Sequence, residues 1–489
     1  MGGREEQTDP TRCRDDLHAA RGRQGNAKTG DRSTGKVAEH PFVMFAVVAV
    51  VLTMSTLDNT IVATALDALQ HGLQTSIPLA GWTITAYSLG MVLTLSLASE
   101  LTGRFGPRRV FLWSVSLFTA ASLCCGLVNN IYVLIVLRFV QAVGGAGFTP
   151  SATRIVVEHF GSARDKALGL FGSLFTVGGL IGPVLGGIIV ASWSWRGVFL
   201  VNVPIGLALI PLCLRYVPTD IASERSGGKT IDVMGVALLG VGLLATMIGV
   251  TYLGDQPTGW IAPCVVALVV ASLGLWSFMR HIEGADEPLI APNLIYGRGF
   301  GAVNVINVLY SGASVGLVAL VPLYAINRYA FDVVDSGTLL ATEAAGAVIM
   351  STVGSFILRR TGYRLPLYSA AVIAGVGMMI LAVPPMIAST YAWLAIGAGL
   401  VGAGIGYSNP ASRNAGLQLV PDKASSIAAL RSTGIQIGSI VAVSVTTAIV
   451  AHAGDAGVTQ AWIFVVYAGL LVLIGLPATA HIPEHKGGW

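Results

Sequence analysis

The sequence predicts an all-α protein that crosses a membrane many times. The chain has 489 residues, of which 54% are hydrophobic and only 11% are charged, whereas soluble domains carry about 25% charged residues. Its mean hydropathy is +0.72, so the polar residues are too few to cover a water-soluble particle. The apolar residues form blocks long enough to cross a bilayer, which takes about 20 residues in a helix. The blocks show no apolar–polar alternation, which argues against a β-barrel.

Fourteen membrane spans are predicted from these blocks. Residues 1–40, ahead of the first block, are polar; we expect a disordered cytoplasmic tail there rather than a signal peptide, which would need an apolar core. Residues 483–489 form the predicted cytoplasmic C-terminus. The fourteen spans cover residues 42–66, 78–101, 110–128, 131–158, 167–191, 196–217, 232–253, 260–279, 299–328, 335–358, 365–385, 390–420, 424–451 and 461–481.

Lysine and arginine are concentrated in alternate loops between these spans. The intervening loops are nearly free of them, with Arg196 and Arg328 as the exceptions. By the positive-inside rule both termini then lie in the cytoplasm, and the even number of spans agrees. We therefore expect a multi-pass protein of the cytoplasmic (cell) membrane.

An internal repeat divides the chain into two halves. The stretch "SELTGRFGPRR" is followed 256 residues later by "SFILRRTGYRL". Adding this offset to the start of the first span gives the start of the ninth span. We therefore expect two six-helix bundles, residues 41–217 and 299–482, with linkers and two inserted helices in residues 218–298. Such repeats are typical of transporters that move two halves around a central site. The shared positions are Ser99, Arg104, Gly106 and Arg108 in the first stretch, and Ser355, Arg360, Gly362 and Arg364 in the second.

No cofactor or metal site is expected from the sequence. The five cysteines are scattered without metal-ligand spacing. The chain contains no GxxxxGK[ST] loop for ATP and no cluster of His, Cys and acidic residues, which argues against a membrane enzyme. We expect a monomer that contacts membrane lipids and no nucleic acid.

Six short stretches, in this order along the chain, carry a resemblance to a known family. Together they resemble the major facilitator superfamily, and within it the drug:proton antiporters with fourteen spans. The resemblance covers the chain after residue 40. The stretches are "LDNTIVATALD", "GRFGPRR", "LIVLRFVQAVGGAG", "GGLIGPVLGG", "SWRGVFLVNVPIG" and "EPLIAPNLIYGRGF".

The resemblance implies export of amphipathic small molecules, such as drugs and antibiotics and including cationic compounds, in exchange for protons by alternating access. A lipid or metabolite translocator, or an importer, on the same fold is the alternative. The loop motif departs from the family pattern, because Gly103 stands where an acid is usual. The resemblance also implies a cytoplasmic latch made by Arg104, Gly106 and Arg108.

The fifth predicted span contains a glycine-rich segment, "GGLIGPVLGG". Glycines four residues apart share one helix face and allow close backbone approach. The resemblance implies that this face gates transport by sealing against the other half, and ordinary helix packing is the alternative. The gating segment comprises Gly178, Gly182, Pro183, Gly186 and Gly187.

Three of the charged residues inside predicted spans are candidates for proton coupling. Asp58 and Arg138 are both roughly 10–13 Å from the outer ends of their spans, at 1.5 Å per residue. A carboxylate beside a fixed cation can exchange that cation for a proton, so we expect this pair to couple transport to protons; a static buried salt bridge is the alternative. Glu343 lies at a similar depth in the tenth span, without a basic neighbour in the sequence. We expect it to face the cavity and to take part in proton coupling.

Polar and aromatic side chains in the spans are further candidates for substrate binding. Each of them could equally serve interhelical packing. They are Asn59, Tyr87, Asn307, Tyr310, Tyr407 and Asn409.

Overall fold

The computed structural model describes most of the chain, and within the described residues it contains helices and short connections but no strand. The all-α prediction is therefore confirmed. The predicted tail and C-terminus lie outside the described residues. The described ranges are 41–160, 164–219, 232–253, 261–285, 288–297, 299–386, 389–419 and 424–482.

In the described residues nine helices precede the linker region, and we call them the N-terminal group. They pack against one another, with α5 between α3 and α4 and with α1 against α7 and α9. Their bounds are α1 Pro41–Thr64, α2 Leu66–Gly72, α3 Ile77–Phe105, α4 Pro107–Leu127, α5 Ile131–Ala146, α6 Phe148–His159, α7 Arg164–Ser192, α8 Gly197–Leu200 and α9 Asn202–Tyr216.

Three helices follow, and then the C-terminal group. The inserted helices are α10 Val233–Leu253 and α11 Ile261–Gly284, and the short α12 Pro292–Tyr296 leads into the second group. The C-terminal group comprises α13 Phe300–Ile306, a π-helical turn Asn307–Ala313, α14 Ser314–Val318, α15 Val321–Tyr329, α16 Val333–Thr361, α17 Arg364–Ala382, α18 Thr390–Leu419, α19 Ala424–Ala451, α20 Ala456–Leu470, a second π-helical turn Leu471–Gly475, and α21 Leu476–Ala480.

Twelve helices in the described residues are long and apolar enough to cross a membrane. Two shorter apolar helices, Val177–Ser192 and Phe300–Tyr310, lie in the predicted fifth and ninth spans. The multi-pass prediction is thereby confirmed, but the count of fourteen spans is not. The ninth span was predicted as one continuous helix, whereas the chain there is interrupted by the π-helical turn and by a break at Ala319 and Leu320.

Side chains set several helix starts. The Asn130 side-chain oxygen accepts hydrogen bonds from the backbone N–H groups of Tyr132 and Val133, at 2.9 and 3.3 Å, and so begins α5. The Asp332 carboxylate does the same for α16 by accepting from the N–H of Asp335 at 2.6 Å. Such caps satisfy the free N–H groups of the first helical turn. They fix where α5 and α16, which carry Arg138 and Glu343, enter the bundle.

The N-terminal and C-terminal groups contact each other along two seams. In one seam α7 packs against α16, and a Cβ added at Gly187 would lie 2.9 Å from the Val333 carbonyl oxygen. In the other seam α3 packs against α19, where a Cβ at Gly81 would lie 3.1 Å from Thr447 Cγ2. These contacts lie within about two helical turns of one end of the bundle. We call it the α2 end, and the opposite end, which carries Arg104, the basic end.

The inserted helices form a hairpin against the α3–α19 seam. The Trp82 indole N–H of α3 donates to the Thr251 hydroxyl of α10 at 2.8 Å. The hairpin therefore contacts both groups at once. The apolar cluster at this place includes Leu89 and Val92 of α3, Leu239, Leu243 and Met247 of α10, Phe278 and Ile282 of α11, and Ile440 of α19.

At the basic end, Asp232 ties the hairpin to the segment that leads into the C-terminal group. Its carboxylate accepts hydrogen bonds from the N–H groups of Gly235 at 2.7 Å and Leu289 at 2.9 Å. It also pairs with His281 Nε2 at 2.7 Å. The start of α10, the end of α11 and the following linker are thus held by one carboxylate.

Candidate functional site

The centre of the N-terminal group contains a buried ion pair. Arg138 Nη1 of α5 donates to Asp58 Oδ2 of α1 at 2.7 Å. Asp58 Oδ1 accepts from Gln141 Nε2 of α5 at 2.9 Å and from Asn202 Nδ2 of α9 at 2.7 Å. Both side chains are fully buried, with no exposed surface. Their predicted proximity is confirmed.

Arg138 is held by partners on several helices. Its Nε donates to the Thr83 carbonyl oxygen of α3 at 3.0 Å, and its Nη1 also donates to Gln141 Oε1 at 2.5 Å. The guanidinium lies over the rings of Tyr87 and Phe199, 4.4 and 5.6 Å from their centroids. Its Nη2 is buried with no hydrogen-bond partner among the described residues. The cation is therefore fixed in place while one of its donors remains unused.

Among the described residues, every hydrogen bond to the two oxygens of Asp58 comes from a donor. An ionised carboxylate accepts such bonds on either oxygen, whereas a protonated one must donate from one of them. A proton on Asp58 would therefore meet another donor, unless a partner moved away. Removing water from two charges is costly, and a buried ion pair is weak support for stability as such. The arrangement thus links the charge of Asp58 to the relative positions of α1, α5 and α9.

Gln141 and Asn202 were not among the predicted site residues. The sequence did contain a signal for each, because both are amides inside apolar spans. Gln141 follows Arg138 by three residues, so the two side chains share a helix face. Asn202 lies in the sixth-span stretch "SWRGVFLVNVPIG", and nothing in the sequence indicates that this stretch lies beside Asp58.

Glu343 lies on α16 in the C-terminal group. Its side chain is partly accessible, and no hydrogen bond or ion pair joins it to another described residue. The backbone around it is closely packed, since a Cβ added at Gly402 of α18 would contact the Glu343 backbone. An acid at this depth without a partner is costly unless water or a ligand reaches it. These features favour the predicted position at a cavity.

Asn59 points toward the interior rather than the lipid. It is exposed, as is Val50 at 45%. The two residues are nine positions apart, so at about 100° per residue they project from opposite sides of α1. Val50 lies on an apolar face that suits lipid. Buried Leu52 and Ala63 flank Asn59 on its own side, which places the Asn59 amide in a local opening between helices.

The other predicted substrate-binding residues are less accessible. Tyr310 is 1% exposed and donates to the Leu367 carbonyl oxygen at 3.3 Å, so its predicted position at the cavity is wrong. Tyr407 and Asn307 are also buried, and Tyr407 packs against Gly354 of α16. Tyr310 and Tyr407 therefore serve packing within the C-terminal group, whereas the buried Asn307 Oδ1 has no hydrogen-bond partner among the described residues. Tyr87 is buried too, because its ring covers Arg138.

Asn409 of α18 has a charged neighbour that was not predicted from the sequence. Its side-chain oxygen accepts a hydrogen bond from Arg431 Nη2 of α19. Both residues are partly accessible. Arg431 Nε is buried without a hydrogen-bond partner among the described residues. The amide and the arginine together form a polar position near the basic end of the C-terminal group.

The glycine-rich segment of α7 faces two neighbours rather than one. A Cβ added at Gly178 would lie 2.8 Å from Thr56 Cβ of α1. Gly182 and Gly186 likewise face Thr60 and Thr64 of α1. The expectation that these three glycines seal against the other half is therefore wrong, because the four-residue spacing defines a helix face but not the helix that covers it.

The contact with the other half is made by Pro183 and Gly187 of α7. A Cβ added at Gly337 of α16 would lie 2.6 Å from the Pro183 carbonyl oxygen. Gly187 meets the backbone of Val333 and Val334. The segment thus joins α1, which carries Asp58, to the seam between the two groups.

Gly187→Leu is expected to open the α7–α16 seam, because the new side chain would meet backbone rather than a movable side chain. Gly182→Leu should instead push α7 away from α1 and lower the free energy of unfolding by about 1–3 kcal/mol. Gly179→Leu is the matched control, since a Cβ there meets no atom within 4 Å. Vesicle proton leak and thermal unfolding separate the variants: Gly187→Leu should leak, and Gly182→Leu should melt earlier. Equal leak for Gly187→Leu and Gly179→Leu would contradict the seam assignment.

The loop motif at the basic end has a structural role in both repeats. Gly106 has a φ of 91° and Gly362 a φ of 73°, a backbone conformation that residues other than glycine rarely adopt. Arg108 donates to the Leu214 carbonyl oxygen at the end of α9. Arg364 donates to the Ile482 carbonyl oxygen, just after α21, at 2.8 Å. Both repeated stretches thus contain a glycine with positive φ at this turn. Arg104 pairs with Glu100 on its own helix.

The fold agrees with those of known membrane transporters. A bacterial homologue of the human lysosomal transporter Spinster, in an inward-facing and unoccupied conformation, gives a TM-score of 0.62 at 15% identity and covers 90% of this chain and 97% of that one. An auto-inhibited peptide transporter of the POT family gives a TM-score of 0.60 at 17% identity, with 89% and 96% covered. At such identities the likeness shows the fold alone.

Sequence comparisons identify closer relatives. Multidrug resistance protein 3 of Bacillus subtilis is 28% identical over 77% of this chain and 73% of its own length. The methylenomycin A resistance protein of Streptomyces coelicolor is 28% identical over 93% of this chain and 95% of its own length. Residues 48–443 match the family profile described as Major Facilitator Superfamily. Because this match covers most of the residues, the chain belongs to the major facilitator superfamily.

Proposed function

We propose that the protein is a proton-coupled antiporter that exports amphipathic small molecules, including drugs and antibiotics, across the cytoplasmic membrane by alternating access. The names of the relatives, which describe multidrug and methylenomycin A resistance, support export of such compounds. The basic end, with Arg104 and Arg108, faces the cytoplasm in this proposal. Both termini then lie on the cytoplasmic side, and the protein works as a monomer.

The proposal includes fourteen spans arranged as two six-helix bundles, residues 41–217 and 299–482, with two inserted helices between them. The helix α7 has 29 residues, or about 43 Å at 1.5 Å per residue, which is enough to cross a bilayer. The interrupted helix from Phe300 to Tyr329 is of similar length. These two segments would add to the twelve longer apolar helices.

The observation that carries the proposal is the buried Asp58–Arg138 pair. Because only donors face Asp58, its protonation requires that α5 or α9 move relative to α1. The helix α1 packs on the glycine face of α7, and α7 meets α16 through Pro183 and Gly187. We infer that binding and release of a proton at Asp58 act on the seam along this path. In this proposal the proton reaches Asp58 when the network opens.

The energy available from proton movement is sufficient for concentrative export. When the substrate is neutral, one proton crossing 100 mV supplies about 2.3 kcal/mol, or roughly a fifty-fold gradient. In this proposal Glu343, Asn59 and Asn409 contact the substrate, since each is at least partly accessible. Glu343 also takes part in coupling, because a bound cation and a proton would compete for its carboxylate.

The direct test is transport by the full-length protein in proteoliposomes with an imposed pH gradient. We expect a cationic dye to accumulate on the side from which protons leave, and a protonophore to abolish the accumulation. Accumulation of equal size without a gradient would exclude antiport. Movement of a labelled phospholipid but not of the dye would favour a lipid translocator on the same fold.

Glu343→Gln is expected to weaken transport of cations about ten-fold and to leave neutral analogues unchanged. A charge pair about 4 Å apart gains roughly 4 kcal/mol at an effective dielectric of 20, and desolvation removes most of it. Paired efflux of a cationic dye and a neutral analogue of equal size measures the difference. Asp335→Asn is the control, because Asp335 lies exposed at the first turn of the same helix. Equal loss for both compounds would mean that Glu343 does not select charge.

A further inference from the structure

A second site lies on the outer surface of the C-terminal group, away from the Asp58 network. A groove of about 870 Å³ runs between α17 and α20, and a smaller pocket of about 360 Å³ adjoins it at the α2 end. The two share Met379, Val383 and Val465 in their walls. They therefore form one continuous depression that ends near Arg328.

The groove is apolar and has the length of one leaflet. Its walls run along α17 from Ala371 to Ala382, which is about 16 Å at 1.5 Å per residue. Half of the hydrocarbon core of a bilayer is about 15 Å thick. Two glycines keep the groove open, because a Cβ added at Gly375 or Gly469 would meet no atom within 4 Å. The depression thus fits an acyl chain that lies parallel to the helices.

Arg328 supplies a cation at the α2 end of this groove. Its Nη1 donates to the Tyr324 hydroxyl at 3.1 Å and to the Ala382 carbonyl oxygen at 3.5 Å. No carboxylate lies within 4.0 Å of it among the described residues, and its Nε and Nη2 have no hydrogen-bond partner there. Arg328 is also one of the two arginines that depart from the predicted charge distribution between loops. A guanidinium with free donors binds a phosphate in a bidentate manner.

Two tryptophans stand beside the groove. The Trp393 indole N–H donates to the carbonyl oxygens of Ile380 and Val383 at 2.8 and 3.1 Å, so its ring is held as a wall of the groove. Trp462 lines the smaller pocket and is 65% exposed. Tryptophan is enriched at the level of lipid headgroups. Arg328 and Trp462 thus lie where a headgroup would be, and Trp393 lies beside the chain.

We propose that this depression is a binding site for an anionic phospholipid of the leaflet at the α2 end. The phosphate accepts hydrogen bonds from Arg328, and one acyl chain fills the groove between α17 and α20. The negative charge of the lipid offsets the guanidinium, which no acid of the described chain does. A zwitterionic lipid would offer the same chain without the net charge and would bind less tightly.

The test uses the full-length protein in phosphatidylcholine vesicles that contain increasing fractions of phosphatidylglycerol with brominated acyl chains, which quench nearby tryptophans. Trp393→Phe and Trp462→Phe identify the part of the signal that comes from the groove. We expect brominated phosphatidylglycerol to quench this part at a lower mole fraction than brominated phosphatidylcholine, by about five-fold for one arginine near the membrane surface.

Variants separate the headgroup contact from the chain contact. Arg328→Gln should remove the preference for phosphatidylglycerol, and Arg328→Lys should keep most of it. Gly375→Leu with Gly469→Leu should reduce quenching by both lipids, because the new side chains occupy the groove. Arg196→Gln is the matched control, since Arg196 also lies at the α2 end over an aromatic ring, Trp195, and should change nothing.

Three results would overturn the proposal. One is equal quenching by the two lipids in the unmodified protein. Another is an unchanged preference in Arg328→Gln that folds normally by circular dichroism. The third is displacement of brominated phosphatidylglycerol by an equal amount of a single-chain alkyl phosphate, which would assign the groove to amphipathic substrates rather than to a phospholipid.

Discussion

Asp58→Asn is expected to abolish proton-driven accumulation of substrate while the protein remains folded. Asparagine has nearly the same shape as aspartate, so the helix packing around it persists. It cannot release a proton, and its amide places a donor where the carboxylate had only acceptors. One of the contacts to Arg138, Gln141 or Asn202 is then lost, at a cost of about 1–3 kcal/mol.

The measurement is dye accumulation in proteoliposomes with an imposed pH gradient, together with exchange of labelled substrate without a gradient. We expect the Asp58→Asn variant to retain exchange and to lose accumulation. Glu100→Gln is the matched control, because Glu100 lies in the same helix group in a solvent-accessible pair with Arg104. Accumulation against the gradient by the Asp58→Asn variant would show that another group carries the proton.

Of the substitutions proposed, Arg138→Met is expected to lower the free energy of unfolding most, on the order of 3–5 kcal/mol at neutral pH, because it leaves the buried carboxylate of Asp58 without its cation. The loss should shrink as the pH falls, since a protonated and neutral Asp58 no longer needs a cation. The double variant with Asp58→Asn should recover part of the stability, because the two residues are in direct contact.

Thermal unfolding in detergent across a range of pH measures these effects. Glu158→Gln provides the comparison with a partly exposed pair, since Glu158 binds Arg154 one turn away on the same helix; its loss should stay within about 0–1 kcal/mol. A loss for Arg138→Met that is small and independent of pH would contradict the assignment, because the carboxylate would then have another means of compensation.

The sequence was sufficient to predict what depends on local pattern. Each of the fourteen predicted spans corresponds to helical residues in the structure, because twenty apolar residues in lipid leave few alternatives to a helix. The pairing of Asp58 with Arg138 followed from depth alone, since charges inside a membrane are restricted to partners at the same level.

What the sequence could not provide is which helices are neighbours. The glycine face of α7 was recognised, but α1 rather than the other half covers Gly182. Tyr310 was assigned to a cavity because it is polar and at the right depth, yet its ring packs against Gly475. The Asn202 contact with Asp58 spans 144 residues. Such contacts depend on the packing of whole helices, and no short-range pattern encodes them.

The repeated turn at the basic end has a consequence for how the protein is made. Arg108, in the first turn of α4, binds the Leu214 carbonyl oxygen, and Arg364 makes the equivalent tie to Ile482. Each half therefore contains both the donor and the acceptor of its own hydrogen bond. Domains generally fold as units during synthesis, with the N-terminal one first. The first half can thus form its hydrogen bond between Arg108 and Leu214 during synthesis, once residue 214 has emerged from the ribosome. At that time no residue of the second half is present to compete for these partners.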